Sequence, residues 1–201
     1  MTDPLQIRFE RSFFARPATR VARDLLGCYV HRRIKGKEMI GRIVETEAYH
    51  QDDPASHSYR GITPRTELMF GEAGYAYVYF TYGMHFCMNV VTGAIGTGEA
   101  VLFRALEPVS GTSEMFIRRI KAKTERDLLS GPAKICQAFD VGKPKHGEDF
   151  VYAKNLYLTQ GSLRSNEKTL TTTRVGISVG IEKKWRFIID GNPFVSKGRT
   201  S

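Results

Sequence analysis

Cysteine is scarce in this chain, and its three thiols are far apart. Cys28, Cys87 and Cys136 form no C-x-x-C pair, and an odd number of widely spaced cysteines with apolar neighbours is typical of buried free thiols in a reducing compartment. The five histidines form neither an H-x-x-x-H nor an H-E-x-x-H pattern. Both absences count against a zinc or iron–sulfur site, and the sequence implies neither a metal nor a cofactor.

Long apolar runs are missing as well. No segment approaches about 18 consecutive apolar residues, and residues 1–4 carry no apolar signal core. We therefore expect an intracellular, cytoplasmic protein without a membrane segment. The 201 residues are 41% hydrophobic and contain no repeat or low-complexity linker, so we predict a single domain spanning 1–201.

Positive charge is in excess. The chain has 30 lysines and arginines against 21 acidic residues, which gives a net charge of +9. Such an excess favours a polyanionic partner, and nucleic acid is the commonest one. Charge alone does not separate DNA from RNA, and many basic proteins have no such partner.

The pattern of apolar and turn residues predicts an α+β fold. A helix over 18–26 ends at Gly27, and a hairpin then joins strands 28–32 and 39–49. The other predicted elements are strands 75–80, 84–91, 100–106, 156–158, 174–180 and 186–189, and helices 113–123 and 130–139. Strands in mixed order with separate helices favour a curved, mainly antiparallel sheet, packed helices and a protruding β-hairpin.

The strand 39–49 carries two carboxylates near its end. Alternation places Glu45, Glu47 and Tyr49 on one face. One interpretation is an ordinary antiparallel strand with one solvated face. The other is an acid/base site, because a carboxylate can activate a water and stabilise a cationic sugar transition state. The long loop 50–66 that follows favours a functional role.

The second hairpin is rich in tyrosine. Tyrosines at 75, 77 and 79 share one face, a pattern that is also common in strands packed on a core. Tyr82 is different, because a large ring beside Gly83 at a hairpin tip should project into solvent. An exposed ring on a basic surface is a candidate wedge for insertion between base pairs.

These segments resemble the alkyladenine DNA glycosylases, also called 3-methyladenine or methylpurine DNA glycosylases. The similarity covers nearly the whole chain and is most specific in GRIVETEAY (41–49), TPRTELMF (63–70), YVYFTYGMHFCMN (77–89) and LFRALEP (102–108). Weaker matches lie at 131–134 and 185–193. The chain lacks the long N-terminal extension of animal members and is similar to compact bacterial ones.

The resemblance implies a base-excision-repair enzyme acting on double-stranded DNA with alkylated or deaminated purines. Glu47 would be the general base that activates the attacking water, and Arg104 would hold that water or the carboxylate. No lysine can be placed beside C1′, so hydrolysis without strand cleavage is expected. Nothing suggests an oligomer interface, and we expect a monomer.

The resemblance also assigns the base pocket. Tyr49 and Tyr79 would stack on the flipped base, His57 would hydrogen-bond its edge, and Asn89 would clash with the 2-amino group of guanine. Tyr82 would fill the gap left in the duplex.

Four further residues are candidates for contacts with the DNA backbone: Thr63, Arg65, Met84 and Lys134. For Lys134, ordinary capping of the helix that starts near Ser130 is an equally good interpretation. His85 and residues 182–184 depart from the family pattern, which bears on lesion preference.

Two rival functions remain open at this point. One is a lesion-binding or RNA-binding module that uses the same basic surface without chemistry. The other is a metal-dependent nuclease built on Glu45 and Glu47, which lacks the further ligands of a two-metal site.

Overall fold

A single curved sheet of eight strands organises the fold in a computed structural model of the chain, which we describe for residues 7–197. The strands are β1 (Tyr29–Ile34), β2 (Lys37–Tyr49), β3 (Ala76–Thr81), β4 (His85–Val91), β5 (Ala100–Ser110), β6 (Leu156–Thr159), β7 (Thr169–Thr172) and β8 (Arg186–Ile189). Their order is β3-β4-β5-β2-β1-β6, with β8 pairing both β2 and β7, and the pairings are antiparallel. The predicted α+β class with a curved antiparallel sheet is confirmed.

Strand β2 is the central element. One of its edges pairs with β5 along most of its length, while the other edge pairs first with β1 and then, at Glu45–Glu47, with β8. Because both edges are occupied and both faces are covered, every residue from Met39 to Ala48 is buried. The interpretation that this strand has one solvated face is therefore wrong.

A double irregularity interrupts the pairing of β2 with β5. Ile43 lies opposite Leu106 and Glu45 opposite Ala105, but the next pair joins Thr46 to Phe103. Each strand thus carries one unpaired residue here, and the one on β5 is Arg104. A bulge bends a strand and redirects its side chains, which places Arg104 beside the carboxylates of β2.

Five short helices cover the sheet: α1 (Arg11–Phe14), α2 (Ala18–Asp24), α3 (Thr112–Arg118), α4 (Glu125–Leu129) and α5 (Pro132–Ala138). The apolar faces of α2 and α5 pack on the strands, with Val21, Ile135 and Phe103 fully buried in one core. Each such side chain contributes about 1.5–3 kcal/mol by leaving water. Within residues 7–197, no helix is long and apolar enough to cross a membrane.

The predicted helix 113–123 was wrong in its second half. The helix ends at Arg118, and Ile120, which the helical periodicity of 113–123 places on the buried face, is 82% exposed. A capping box between Thr124 and Asp127 starts a separate helix, α4, because each side chain satisfies a free backbone N–H of the other.

The predicted strand 174–180 is a loop, and the nearest strand, β7, ends just before it at Thr172. Gly176 and Gly180 adopt φ values of 80° and 60°, which a strand does not accommodate. Residues 50–66 form an ordered loop, as predicted, with a 3₁₀ turn at His57–Arg60; the Ser56 side chain caps this turn by accepting a hydrogen bond from the Ser58 amide.

Candidate active site

A cavity of about 410 Å³ opens between the β3–β4 hairpin, the loop after β2 and the loop that contains Val175. Five of the residues predicted for catalysis or the base pocket line it: Tyr49, His57, Tyr79, Asn89 and Arg104. Tyr82 lies at its mouth. Residues spread over more than 50 positions of the sequence therefore meet at one site.

Glu47 lies directly behind this cavity. Its carboxylate accepts hydrogen bonds from the Tyr49 hydroxyl (2.9 Å to Oε2) and from the Val175 amide (2.8 Å to Oε1). Arg104 Nε lies 3.3 Å from Oε1. These three partners line the cavity, whereas Glu47 itself is 0% exposed.

The ionisation of Glu47 is set by opposing effects. Burial raises the pKa of its carboxyl group above the ordinary value, while the Arg104 charge and the hydrogen bonds from Val175 and Tyr49 act in the opposite direction. A raised pKa makes the carboxylate a stronger base than an exposed glutamate. Each carboxylate oxygen also has a further lone pair with which to accept a proton.

Glu45 faces the same side of β2 but serves a different purpose. Its oxygens accept hydrogen bonds from Arg186 (2.6 Å) and from the backbone and hydroxyl groups of Ser196 (2.7 and 2.9 Å). Arg104 Nε lies 3.1 Å away, although it makes no aligned hydrogen bond to either carboxylate. Glu45 thus accepts three hydrogen bonds, which connect β2 to Arg186 and Ser196.

The aromatic wall of the cavity consists of three rings. His57 lies edge-on to Tyr79 with 4.5 Å between ring centroids, and Tyr77 lies 5.7 Å from Tyr79. His57 Nδ1 is 3.0 Å from the Tyr77 hydroxyl. Burial, and secondarily the Arg65 charge, lowers the pKa of His57 to about 4, so its ring is neutral at physiological pH.

Asn89 lies on β4 opposite Tyr77, at the inner end of the cavity. Its side-chain amide donates to the Tyr77 carbonyl at 3.0 Å, and the residue is buried. This hydrogen bond fixes the side chain against the strand that carries the aromatic wall. Its amide is thereby kept in contact with the cavity.

A buried ion pair behind Tyr49 was missed by the sequence analysis. Arg174 bonds to Asp53, donates to the Ala48 carbonyl at 3.2 Å, and lies 4.8 Å from the centroid of the Tyr49 ring. It supports the face of Tyr49 and fixes the backbone of Val175, which donates to Glu47. Two charged residues 121 positions apart give no local pattern, so nothing in the sequence alone pairs them.

The hairpin tip presents Tyr82 to solvent, as predicted, with 82% of the residue exposed. Tyr82 and Gly83 have φ values of 50° and 67°, and the Met84 amide donates to Thr81 across the turn. Positive φ at both central residues defines a type I′ turn, which favours Asn and Gly. A tyrosine there is strained, and such strain is commonly retained at functional sites.

The four predicted backbone-contact residues lie in the loop 50–66, at the hairpin tip and in a second cavity. In the loop, Thr63 is exposed and hydrogen-bonds Thr66, and at the tip Met84 is 70% exposed beside Tyr82. Arg65 lies against the aromatic wall, with Nη2 3.4 Å from His57 Nε2. Lys134 lies elsewhere, in a second cavity.

The second cavity, of about 510 Å³, shares Arg104 with the first and is lined by cations. They are Arg104, Arg126, Lys134 and Lys197. The one carboxylate there, Asp127, is used to cap α4, and Lys134 Nζ donates to Ser130 at 3.0 Å. Burial and neighbouring cations lower the pKa of Lys134, so an anion would be stabilised in this cavity.

The three cysteines are free and buried, as predicted. Among residues 7–197, no three His, Cys, Asp or Glu side chains cluster in a way that could hold a metal ion. Since Glu45 also accepts hydrogen bonds from Arg186 and Ser196, the described residues give no support to a nuclease built on Glu45 and Glu47.

The site thus combines an aromatic cavity, a buried carboxylate and an exposed tyrosine at a strained turn. Comparison with known proteins identifies the family to which this chain belongs. The family model for methylpurine-DNA glycosylase matches residues 12–193. The chain therefore belongs to the methylpurine-DNA glycosylase family and is a DNA glycosylase.

Relatives from several bacteria carry the name "Putative 3-methyladenine DNA glycosylase". The protein of Carboxydothermus hydrogenoformans is 53% identical over 188 residues, covering 93% of this chain and 97% of its own length. That of Francisella tularensis is 44% identical over 88% of this chain and 92% of its own. That of Natranaerobius thermophilus is 41% identical over 94% and 99%.

Proposed function

We propose that this chain is a monofunctional, monomeric, cytoplasmic glycosylase that excises 3-methyladenine, hypoxanthine and ethenoadenine from duplex DNA. It would flip the damaged nucleotide into the aromatic cavity and hydrolyse its glycosidic bond with a water activated by Glu47. The observation that carries the proposal is the buried Glu47 carboxylate held by three residues that line the cavity.

Base flipping needs compensation for lost stacking, and the cavity offers it. Unstacking and unpairing cost a few kcal/mol, whereas stacking on an aromatic side chain contributes about 1–3 kcal/mol. Tyr49 and Tyr79 both border the cavity. Tyr82 projects from the hairpin tip, and Met84 is exposed beside it, so the hairpin can fill the gap in the duplex.

The chemistry needs a water between Glu47 and C1′. In this proposal Glu47 accepts a proton from that water as it attacks C1′, and Arg104 orients the water or the carboxylate. The negative charge of Glu47 also stabilises the cationic sugar of the transition state. Cationic alkylpurines leave readily, so this one carboxylate suffices for them.

The same cavity supports the proposed selectivity and the proposed lack of lyase activity. Asn89 would exclude normal guanine by contact with its 2-amino group. Among the described residues that line the cavity, none is a lysine, so no amine is positioned to form a Schiff base. Hydrolysis would leave an abasic site in an intact strand.

The DNA backbone would be held by two surfaces. On the first, Arg65 lies against His57 and Tyr79, Thr63 belongs to the same loop, and Met84 is exposed next to Tyr82 at the hairpin tip. Lys134, with the other cations of the second cavity, would bind a phosphate close to the flipped nucleotide. Affinity should consequently fall steeply with salt concentration.

The test is incubation of the protein with a duplex that carries one hypoxanthine, ethenoadenine or 3-methyladenine, in the presence of a chelator. Free base and an intact abasic strand are the expected products. Tight binding of lesion duplex without release of any base would instead favour a binding module, and strand cleavage without alkali would refute the monofunctional mechanism.

A further inference from the structure

Arg65 contacts two rings of the aromatic wall, those of Tyr79 and His57. Its guanidinium carbon lies 5.7 Å from the centroid of the Tyr79 ring, and Nη2 lies 3.4 Å from His57 Nε2. The side chain is exposed on its outer side. Its positive charge therefore lies close to Tyr79, one of the rings on which a base would stack.

The contact with Arg65 also determines the tautomer of His57. A guanidinium group can only donate hydrogen bonds, so Nε2 of His57 is the acceptor. The proton of the neutral ring then lies on Nδ1, which donates to the Tyr77 hydroxyl oxygen at 3.0 Å. The charged or titratable groups packed against His57 are Arg65, Tyr77 and Tyr79.

We infer that Arg65 is a specificity-determining residue: its fixed positive charge, held on His57 over the stacking ring, disfavours cationic purines relative to neutral ones. This inference rests on the proposed function, since it requires the damaged base to stack on Tyr79. A cationic alkylpurine would lie close to the guanidinium group, whereas a neutral purine would offer acceptor atoms to its N–H donors.

The size of the effect follows from Coulomb's law. A base stacked on Tyr79 would lie roughly 7 Å from the guanidinium, and for effective dielectric constants of about 40 to 80 the loss of one charge changes relative rates about three- to eightfold. The quantity to compare is the ratio of kcat/KM for a cationic lesion to kcat/KM for a neutral lesion, because any phosphate contact of Arg65 affects both equally.

The experiment compares Arg65→Met, Arg65→Lys and wild type on two substrates, namely methylated duplex that releases 3-methyladenine and duplex that contains hypoxanthine. We expect the kcat/KM ratio of cationic to neutral lesion to rise about three- to eightfold in Arg65→Met. In Arg65→Lys, which keeps the charge, the ratio should stay near the wild-type value. Arg60→Met is the matched control, because Arg60 is an exposed arginine of the same loop; it should change both substrates equally.

A second measurement does not depend on DNA. NMR titration should show that the pKa of His57 rises in Arg65→Met and stays low in Arg60→Met, while burial keeps it below the ordinary value of 6.5. An unchanged lesion ratio in Arg65→Met, with an active wild type, would overturn the inference and leave the proposed function intact. A wild type that releases neither base would overturn the proposed function itself.

Discussion

Replacing Tyr49 by phenylalanine separates the two roles that the site gives this residue. The ring remains available for stacking on a base and for its contact with Arg174, 4.8 Å from the ring centroid. Only the hydroxyl that donates to Glu47 Oε2 at 2.9 Å is removed. That hydrogen bond favours the ionised carboxylate, so its loss raises the pKa of Glu47 further.

The magnitude follows from the contact. A hydrogen bond to a charged group contributes about 1.5–3 kcal/mol. Water in the adjacent cavity can replace part of it, so we take the low end, which corresponds to a displacement of about one pH unit. Because Glu47 must be ionised to act as the general base, activity is lost as the pH falls. The acid limb of the pH–rate profile of Tyr49→Phe should therefore move to higher pH.

The assay is single-turnover excision of hypoxanthine from a duplex between about pH 5 and 9. Tyr79→Phe is the control: it removes a hydroxyl from the same cavity that makes no hydrogen bond to Glu47. Its acid limb should coincide with that of the wild type. An unshifted limb in Tyr49→Phe, or an equal shift in both variants, would refute the reasoning.

Three further predictions concern stability and selectivity. Glu47→Gln should raise the free energy of unfolding at neutral pH, because a raised pKa means that the ionised form of Glu47 destabilises the folded state. Urea titrations should show that the variant loses this extra stability below about pH 4.5, the ordinary pKa of glutamate, where the wild-type carboxyl group is protonated in both states. Tyr82→Asn should stabilise the fold by about 1 kcal/mol, since Asn tolerates positive φ. The same substitution should weaken binding of lesion duplex about tenfold, because it removes the ring that would insert into the duplex. A less stable variant, or unchanged binding, would contradict this prediction. Asn89→Ser should extend excision toward guanine-derived lesions, and unchanged discrimination in a competition assay would count against its role as a filter.

The local sequence pattern was sufficient to predict features that depend on residues close together in the chain. The alternation of β2 placed Glu45 and Glu47 on one side, and Gly83 located the tip from which Tyr82 projects. The sequence also contains a signal for the break after Arg118, because Thr124 and Asp127 form a capping box that starts a new helix. The helical periodicity of 113–123 nevertheless favoured one continuous helix, so the break was not predicted.

Long-range pairing set the limit of prediction. The burial of Glu47 requires β8, which joins β2 from far along the chain, and the support of Tyr49 requires the Asp53–Arg174 pair. The position of Arg104 between both carboxylates depends on a bulge in β5. None of these follows from spacing, since each arises when distant segments meet.

Excision and binding by Glu47→Gln, measured side by side with the wild type, test most directly whether Glu47 is the general base. The wild type should release free hypoxanthine and leave an intact abasic strand. Glu47→Gln should bind the same duplex with similar affinity and release no base. Release at the wild-type rate by Glu47→Gln would contradict the assignment of Glu47 as the general base.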